Sequence, residues 1–117
     1  MNSKLGLLIR EPWISKIIDG EKDLEGRGFS AEKKVGKRIL LIQSRVKPQR
    51  GRATATISEC FPLTEEFVKQ NAKRLGGLRW EDINYRTPYA WHFTDIRECD
   101  PVVSTNPKLG AVIFVRL

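Results

Sequence analysis

The stretch Gly20-Glu21-Lys22-Asp23-Leu24-Glu25-Gly26-Arg27 brings more unlike charged groups together than any other part of the chain. On a regular β-strand, Glu25 and Arg27 share one face, whereas Lys22 and Glu25 point to opposite faces. Lys22 and Glu25 can therefore meet only if Lys22 lies in the turn before the strand, or if the strand bulges at Asp23. If they do not meet, the stretch is typical of a charged surface strand with cross-strand ion pairs.

The residues before this stretch predict a strand followed by one short helix. Residues 5–10 are mostly apolar, as in a buried strand. Pro12 is tolerated in the first turn of a helix, and Gly20 supplies a stop. Between them, apolar residues at helical spacing form one face: Trp13, Ile14, Ile17 and Ile18.

The residues after it predict further strands and a second helix. The predicted strands are 23–28, 37–46, 52–60, 89–97 and 111–117. Thr64 is a good N-cap for a helix to about Leu75, and residues 101–108 predict a turn-rich connection. Because helices and strands do not alternate regularly, we expect an α+β fold. It would be a small, largely antiparallel sheet or β-barrel of five to six strands with two main helices packed on it.

The length of 117 residues suits one domain, residues 1–117.

The excess positive charge of the chain is concentrated in one segment. The net charge is +7, and residues 33–58 carry eight basic side chains and no acidic one. A solvated surface and contact with a polyanion are both compatible with such a segment.

Signals for membranes, metals and cofactors are missing from the sequence. No apolar run approaches the roughly 20 residues that span a bilayer, and no signal-peptide core is visible, so a cytoplasmic location is expected. His92 is the single histidine, and Cys60 and Cys99 form no Cys-x-x-Cys pair, which argues against a metal site. His92 is expected to bond backbone or solvent. Neither a phosphate loop nor a dinucleotide fingerprint is present, so no cofactor is expected.

Five sequence elements, taken in order, resemble the ASCH domain (activating signal cointegrator homology) of the PUA-like superfamily. They are Ile9-Arg10-Glu11-Pro12-Trp13, Gly20-x-Lys22-x-x-Glu25-x-Arg27, Gly36, Leu41-Ile42-Gln43-Ser44 and Tyr89-Ala90-Trp91-His92. The resemblance covers nearly the whole chain, and the Gly-x-Lys-x-x-Glu-x-Arg element is its most specific part. It implies a small β-barrel with helices packed on it, and a cleft near residues 22–27 that meets RNA or a modified base.

The resemblance also implies which residues line the cleft: Lys22, Glu25 and Arg27, with Trp13, Ser44 and Trp91 as neighbouring wall residues. The chemistry agrees, because a carboxylate accepts from the amino group of a base, cations donate to carbonyl or phosphate oxygens, and an indole offers a stacking face. The alternative for Trp13 and Trp91 is a place in the core.

Ser44 directly precedes a basic segment formed by Arg45, Lys47, Arg50 and Arg52. We expect these four residues to hold phosphates without sequence preference, while the three cleft charges inspect one base. Replacing Arg50 and Arg52 should then change the salt dependence of RNA binding by about one unit of slope for each lost contact.

A hydrolase is the alternative function. Some members of the resembled family are amidohydrolases of an acetylated cytidine nucleoside that use a lysine, a threonine three residues later and a glutamate elsewhere. Here the position three after Lys22 is Glu25, so the threonine role has no matching residue. Lys22 and Glu25 could still do acid–base work, either as an amidohydrolase or as a ribonuclease. A third interpretation is an adaptor surface that requires a protein partner.

Overall fold

The computed structural model describes residues 5–46, 49–103 and 114–116. Its strands are β1 (Leu5–Ile9), β2 (Leu24–Arg27), β3 (Arg38–Gln43), β4 (Arg50–Pro62), β5 (Tyr89–Val103) and β6 (Phe114–Arg116). Its helices are α1 (Trp13–Ile18) and α2 (Glu65–Gln70), and short 3-10 helices occur at Glu32–Lys34 and Trp80–Asp82.

All of these strands form one sheet in the order β2-β5-β4-β3-β1-β6. β1 runs parallel to β3, and every other neighbouring pair is antiparallel. The prediction of an α+β fold with a small, largely antiparallel sheet and two main helices is therefore confirmed.

The sheet curls because its two longest strands pair irregularly. The register between β4 and β5 shifts at three places, between Gly51 and Ala53, Thr54 and Thr56, and Ile57 and Glu59. Such bulges bend a strand and increase its twist. The result is a curled half-barrel.

The curl brings β2, at one edge of the sheet, close to β1. Arg27 Nη2 on β2 donates to the Leu8 carbonyl oxygen on β1 at 2.9 Å. We call this junction the seam. No strand pairing between β2 and β1 occurs among the described residues, so side chains bridge the junction.

Two apolar clusters form the core. The larger packs α1 against the sheet and includes Leu7, Ile14, Ile17, Leu41 and Phe93. The smaller lies beside α2 and consists of Leu24, Leu63, Val68, Leu75 and Ala90. The larger cluster therefore joins α1 to strands across the sheet, and the smaller one joins α2 to β2 and β5.

The second helix begins where predicted and ends earlier. Thr64 Oγ1 accepts from the Phe67 backbone N at 3.1 Å, which is the expected N-cap bond. The helix ends at Gln70 instead of Leu75. Asn71 Nδ2 donates to the Phe67 carbonyl oxygen at 3.0 Å, and such side-chain bonds compete with the helical backbone. The residues from Asn71 onward consequently form turns.

Strands β3 and β5 end furthest from their predicted ends. β5 extends to Val103 instead of Arg97, because its last residues pair with the start of β4, as in Gly51 with Val102. The predicted turn is therefore wrong for residues 101–103. β3 ends at Gln43 instead of residue 46, because Arg45 adopts a left-handed conformation with φ of 63°. Of the predicted last strand, residues 111–113 and 117 lie outside the described residues.

Candidate functional site

A cavity of about 1030 Å³ lies at the seam between β2 and β1. Its walls come from the end of β1, the start of α1, β2, the turn after β3 and the loop that follows α2. All three charged residues of the Gly-x-Lys-x-x-Glu-x-Arg element line it. The segment singled out in the sequence therefore faces this cavity.

Lys22 reaches this cavity from the turn before β2. Its backbone N donates to the Lys16 carbonyl oxygen at 3.1 Å, and the Asp23 backbone N donates to the Arg74 carbonyl oxygen at 3.2 Å. The strand itself starts only at Leu24. Of the two geometries that allow Lys22 to meet Glu25, the turn is the one observed.

Lys22, Glu25 and Arg27 form a connected charge triad. Lys22 Nζ lies 3.0 Å from Glu25 Oε1 and also donates to the Leu24 carbonyl oxygen. Arg27 Nε and Nη2 each lie 2.8 Å from Glu25 Oε2. The Lys22 side chain is only 2% exposed although it borders the cavity. A buried lysine needs a counter-charge, and Glu25 supplies it.

Burial and neighbouring charges act in opposite directions on Glu25. Burial by itself would raise the pKa of this carboxyl, but the positive charges of Lys22 and Arg27 outweigh burial and hold the pKa below its usual value. Glu25 is therefore an ionised carboxylate at neutral pH, and the charge triad carries one net positive charge.

Trp13 lines the cavity beside Lys22, and a glycine allows the close approach. A Cβ placed on Gly76 would come within 2.7 Å of Trp13 Cδ1 and 2.9 Å of Lys22 Cδ. Gly76 also has a φ of +76°, which glycine adopts without strain. The Arg10 guanidinium lies over the Trp13 ring, 5.0 Å from its centroid, so part of the indole surface is already covered.

The predicted wall residue Ser44 also lines the cavity. It lies one residue past β3, where its backbone N donates to the Ile9 carbonyl oxygen at 3.1 Å. A smaller adjoining cavity of about 420 Å³ shares Arg10, Trp13, Ser44 and Arg45 with the first. This end of the site is thus the point where the two cavities meet.

Trp91 lies in the core and does not line the cavity. Its side chain is 0% exposed and belongs to the larger apolar cluster. Trp91 Nε1 donates to the Phe29 carbonyl oxygen at 3.1 Å, and the two rings meet edge to face at 5.3 Å. The interpretation of Trp91 as a wall residue is therefore wrong, because β5 directs this side chain into the larger apolar cluster.

The four predicted phosphate-binding residues lie in different surroundings. Arg45 is exposed and lines both cavities, and Arg50 is exposed at the start of β4. Arg52 Nη1 instead donates to Glu11 Oε2 at 3.0 Å, and it also lies 3.3 Å from Ser15 Oγ and from Gln43 Oε1. The Arg52 charge is thus compensated within the fold. Lys47 lies outside the described residues.

Sequence reasoning missed the contribution of the loop after α2. This loop lines the cavity with Leu78, Arg79, Asp82 and Tyr85. Arg79 pairs with Asp82 at 2.9 Å, so its charge is locally compensated. A loop shows no periodic pattern, and no signal in the sequence places it against β2. Arg10 and Gln49 were missed for the same reason, since only the curl of the sheet brings them to the cavity.

His92 bonds side chains, which corrects the expectation of backbone or solvent partners alone. Its Nδ1 lies 2.9 Å from Ser58 Oγ, and its Nε2 lies 3.0 Å from Asp23 Oδ2. Arg74 also holds both Asp23 oxygens at 2.9 Å, and this hydrogen bonding lowers the pKa of the Asp23 carboxyl. Neither Ser58 nor His92 lines either cavity. The cluster therefore ties the turn that carries Lys22 to β4 and β5.

Neither a metal-ligand cluster nor a membrane-spanning helix occurs in the described part of the chain. Within residues 5–46, 49–103 and 114–116, no group of three or more histidine, cysteine, aspartate or glutamate side chains could hold a metal ion. Among the helices of the described part of the chain, none is long and apolar enough to span a membrane.

The fold and the site together define a small α+β half-barrel with a charged cavity in its seam, and the chain has the fold of the ASCH domain. A crystal structure of a mutant ASCH protein from Zymomonas mobilis is similar, with a TM-score of 0.75 and 13% identity over 97% of this chain and 87% of the other. A second mutant of that protein matches with a TM-score of 0.69, 14% identity and coverages of 86% and 76%. A crystal structure of ASCH from the same organism matches with a TM-score of 0.68, 13% identity and coverages of 85% and 72%.

These likenesses concern the fold. No family model matches the chain, and no curated protein matches it. The prediction of an ASCH fold, made from five short sequence elements, is confirmed by the structural similarity.

Proposed function

We propose that this chain binds RNA or a nucleoside-like ligand in the cavity at the seam. The observation that carries the proposal is the charge triad, in which buried Lys22 and half-buried Arg27 hold the Glu25 carboxylate at the cavity wall. Such an arrangement offers both an acceptor for the amino group of a base and donors for its carbonyl oxygens. Because the three groups hold one another, their geometry is set before the ligand arrives.

The balance of charge around the cavity supports an anionic ligand. The lining includes five basic residues, Arg10, Lys22, Arg27, Arg45 and Arg79, and two acidic ones, Glu25 and Asp82. Neither Arg10 nor Arg45 forms an ion pair with a carboxylate among the described residues. Guanidinium groups in this state are good phosphate ligands. We therefore assign the phosphate-binding role to Arg10, Arg45 and the exposed Arg50, and a structural role to Arg52.

The charge triad favours binding over acid–base catalysis. A general base works best when its pKa lies near the operating pH. The pKa of the Glu25 carboxyl is lowered, and both of its oxygens already accept from cations. Hydrolysis by Lys22 and Glu25 is therefore the less favoured alternative. A measurement of turnover distinguishes it from binding.

The experiment is a salt titration of binding to a fluorescently labelled single-stranded RNA. Each lost phosphate contact should reduce the slope of log K against log salt by about one unit. We expect this reduction for Arg45→Gln and Arg10→Gln, and a much smaller one for Arg52→Gln. Arg97→Gln is the matched control, because it removes the same charge from an exposed residue outside both cavities.

Three other results would contradict the proposal. Equal slopes for Arg45→Gln and Arg97→Gln would mean that the cavity does not hold phosphate. Turnover of an acylated nucleoside or of the RNA, lost on Lys22→Ala, would identify a hydrolase. Absence of both binding and turnover until a protein partner is added would identify an adaptor.

A further inference from the structure

Gln49 places an unpaired hydrogen-bond acceptor at the cavity. Its Oε1 is buried and has no hydrogen-bond partner, and no other buried side-chain nitrogen or oxygen of the described residues is in this state. The residue lines the cavity from the connection between β3 and β4. Buried polar atoms in proteins are nearly always hydrogen-bonded, so this oxygen is expected to have a use.

The carboxylate oxygens that line the same cavity are already occupied. The two Glu25 oxygens lie 3.0 Å and 2.8 Å from the cations of the charge triad. Both Asp82 oxygens accept from one arginine of the loop after α2, at 2.9 Å and 3.2 Å. Among the amide and carboxylate oxygens of the lining, Gln49 Oε1 is therefore the one without a donor from the described residues.

The Gln49 amide can turn toward a ligand at little cost. The side chain is half-buried, so part of it stays accessible at the cavity wall. The last torsion of a glutamine side chain has a broad energy minimum, and rotation about it breaks no hydrogen bond of Oε1. A ligand N–H that approaches this wall therefore gains a hydrogen bond, and Oε1 gives up no other bond in return.

Gln43 shows the structural use of the same type of side chain. Its Oε1 accepts from Arg52 Nη1 at 3.3 Å, and that guanidinium also donates to Glu11. Loss of the Gln43 amide would take an acceptor away from Arg52. Loss of the Gln49 amide oxygen would take an acceptor away from no described residue. The two glutamines therefore lead to different expectations for the stability of the fold.

We propose that Gln49 determines the specificity of the cavity, because its Oε1 accepts a hydrogen bond from the exocyclic amino group of a base. This inference rests on the proposed function and names the ligand group that the cavity selects. An amino group projects from the edge of a base, so it can reach an oxygen that lies recessed in the wall. A base with a carbonyl oxygen at that position would set one acceptor against another and leave Oε1 unpaired, which such sites reject.

The test compares two pairs of nucleoside 5′-monophosphates, cytidine with uridine and adenosine with inosine. In each pair the second member replaces the amino donor with a carbonyl acceptor and keeps the size of the base. In at least one pair, wild type should bind the amino member more tightly by about five-fold to a hundred-fold, the effect of one unpaired buried polar group. Gln49→Met should lose this preference and bind the amino member more weakly by a similar factor. Labelled oligonucleotides of the same bases give the same comparison if the monophosphates bind weakly.

Stability separates a binding role of Gln49 from a structural one. Since Oε1 has no partner in the fold, Gln49→Met should unfold in urea at the wild-type midpoint or above it. Gln43→Met should unfold at a lower midpoint, because Arg52 loses an acceptor. Gln70→Met is the matched control for affinity, since Gln70 is exposed and lines neither cavity. A Gln49→Met midpoint below that of wild type would mean that the amide stabilises the fold, against the inference.

The binding results separate this inference from the function on which it rests. If Arg45→Gln weakens binding of the labelled RNA but wild type binds both members of each pair equally, the role of Gln49 is wrong and the proposed function stands. A preference for the amino member that persists in Gln49→Met also overturns the inference, because another group would then select the base. A wild-type protein that binds neither the RNA nor any of the monophosphates would overturn the proposed function itself.

Discussion

Replacing Glu25 with glutamine should destabilise the fold more than replacing either of its partners. The substitution keeps the size of the side chain and removes the charge that compensates Lys22, which is only 2% exposed. Removal of one partner from a buried ion pair costs about 3–5 kcal/mol, because an uncompensated charge stays buried. A domain of this length has a total stability of about 5–15 kcal/mol, so the loss is a large fraction of it.

Lys22→Met supplies the internal comparison. It removes one cation and leaves Glu25 with Arg27, whose guanidinium lies 2.8 Å away, so no charge stays buried alone. We expect a smaller loss than for Glu25→Gln. In the double variant Glu25→Gln/Lys22→Met, the loss of unfolding free energy should be smaller than the sum of the two single losses. The difference should be about 0.5–3 kcal/mol, as for other contacting residues.

Urea unfolding followed by tryptophan fluorescence measures these differences. With an m-value of about 1–3 kcal/mol per molar urea, the Glu25→Gln midpoint should fall by about 2 M. The control is Glu65→Gln, which breaks an exposed pair between Glu65 and Lys69, 55% and 68% exposed. That pair should contribute no more than about 0.5 kcal/mol. A Glu25→Gln midpoint equal to that of Glu65→Gln would refute the reasoning.

The pH dependence gives an independent check on Glu25. Its pKa is lowered in the folded protein from an ordinary value of 4.5. Its contribution to stability is therefore fully present above pH 4.5 and is lost as the pH falls through the lowered value. The stability difference between wild type and Glu25→Gln should narrow in that range. A difference that widens there would mean that Glu25 is not stabilised as a carboxylate.

Further predictions concern three other positions. Gly76→Ala should destabilise the fold more than Gly77→Ala in urea unfolding, because both carry a positive φ but only a Cβ at Gly76 meets Trp13. Thr64→Ala should cost about 0.5–2 kcal/mol, the usual value of an N-cap, without changing RNA affinity in a binding titration. The advantage of wild type over Asp23→Asn should be complete above pH 3.8 and shrink below it, since Arg74 lowers the Asp23 pKa. Unfolding midpoints that differ by the same amount above and below that pH would contradict this reading.

The charge triad could be found in the sequence, and its geometry could not. Alternation along a strand predicts that Glu25 and Arg27 share a face, and they do form an ion pair. The same rule left two possible geometries for Lys22, a place in the turn before the strand or a bulge of the strand at Asp23. The choice depends on hydrogen bonds from the turn to Lys16 and Arg74, and Arg74 is 51 residues from Asp23. Local periodicity carries no information about such distant partners.

Two residues show why charge or aromatic character does not reveal a role. Arg52 belongs to a basic segment and was expected to hold phosphate, but the strand order β4-β3-β1 brings it to Glu11, 41 residues earlier. Trp91 belongs to a motif of the resembled family and was expected in the cleft, but its position on β5 places it in the core. In each case the partner comes from a distant part of the chain.

The sequence by itself determined the kinds and order of most elements, the helix start at Thr64, the concentration of basic charge and the motif that carries the triad. These properties depend on neighbouring residues, so a local pattern contains them. The tertiary structure alone decided where β5 ends, which arginines stay unpaired among the described residues, and which aromatic ring stays exposed at the cavity. Those outcomes depend on contacts between residues far apart in the chain, such as Gly28 and Tyr85.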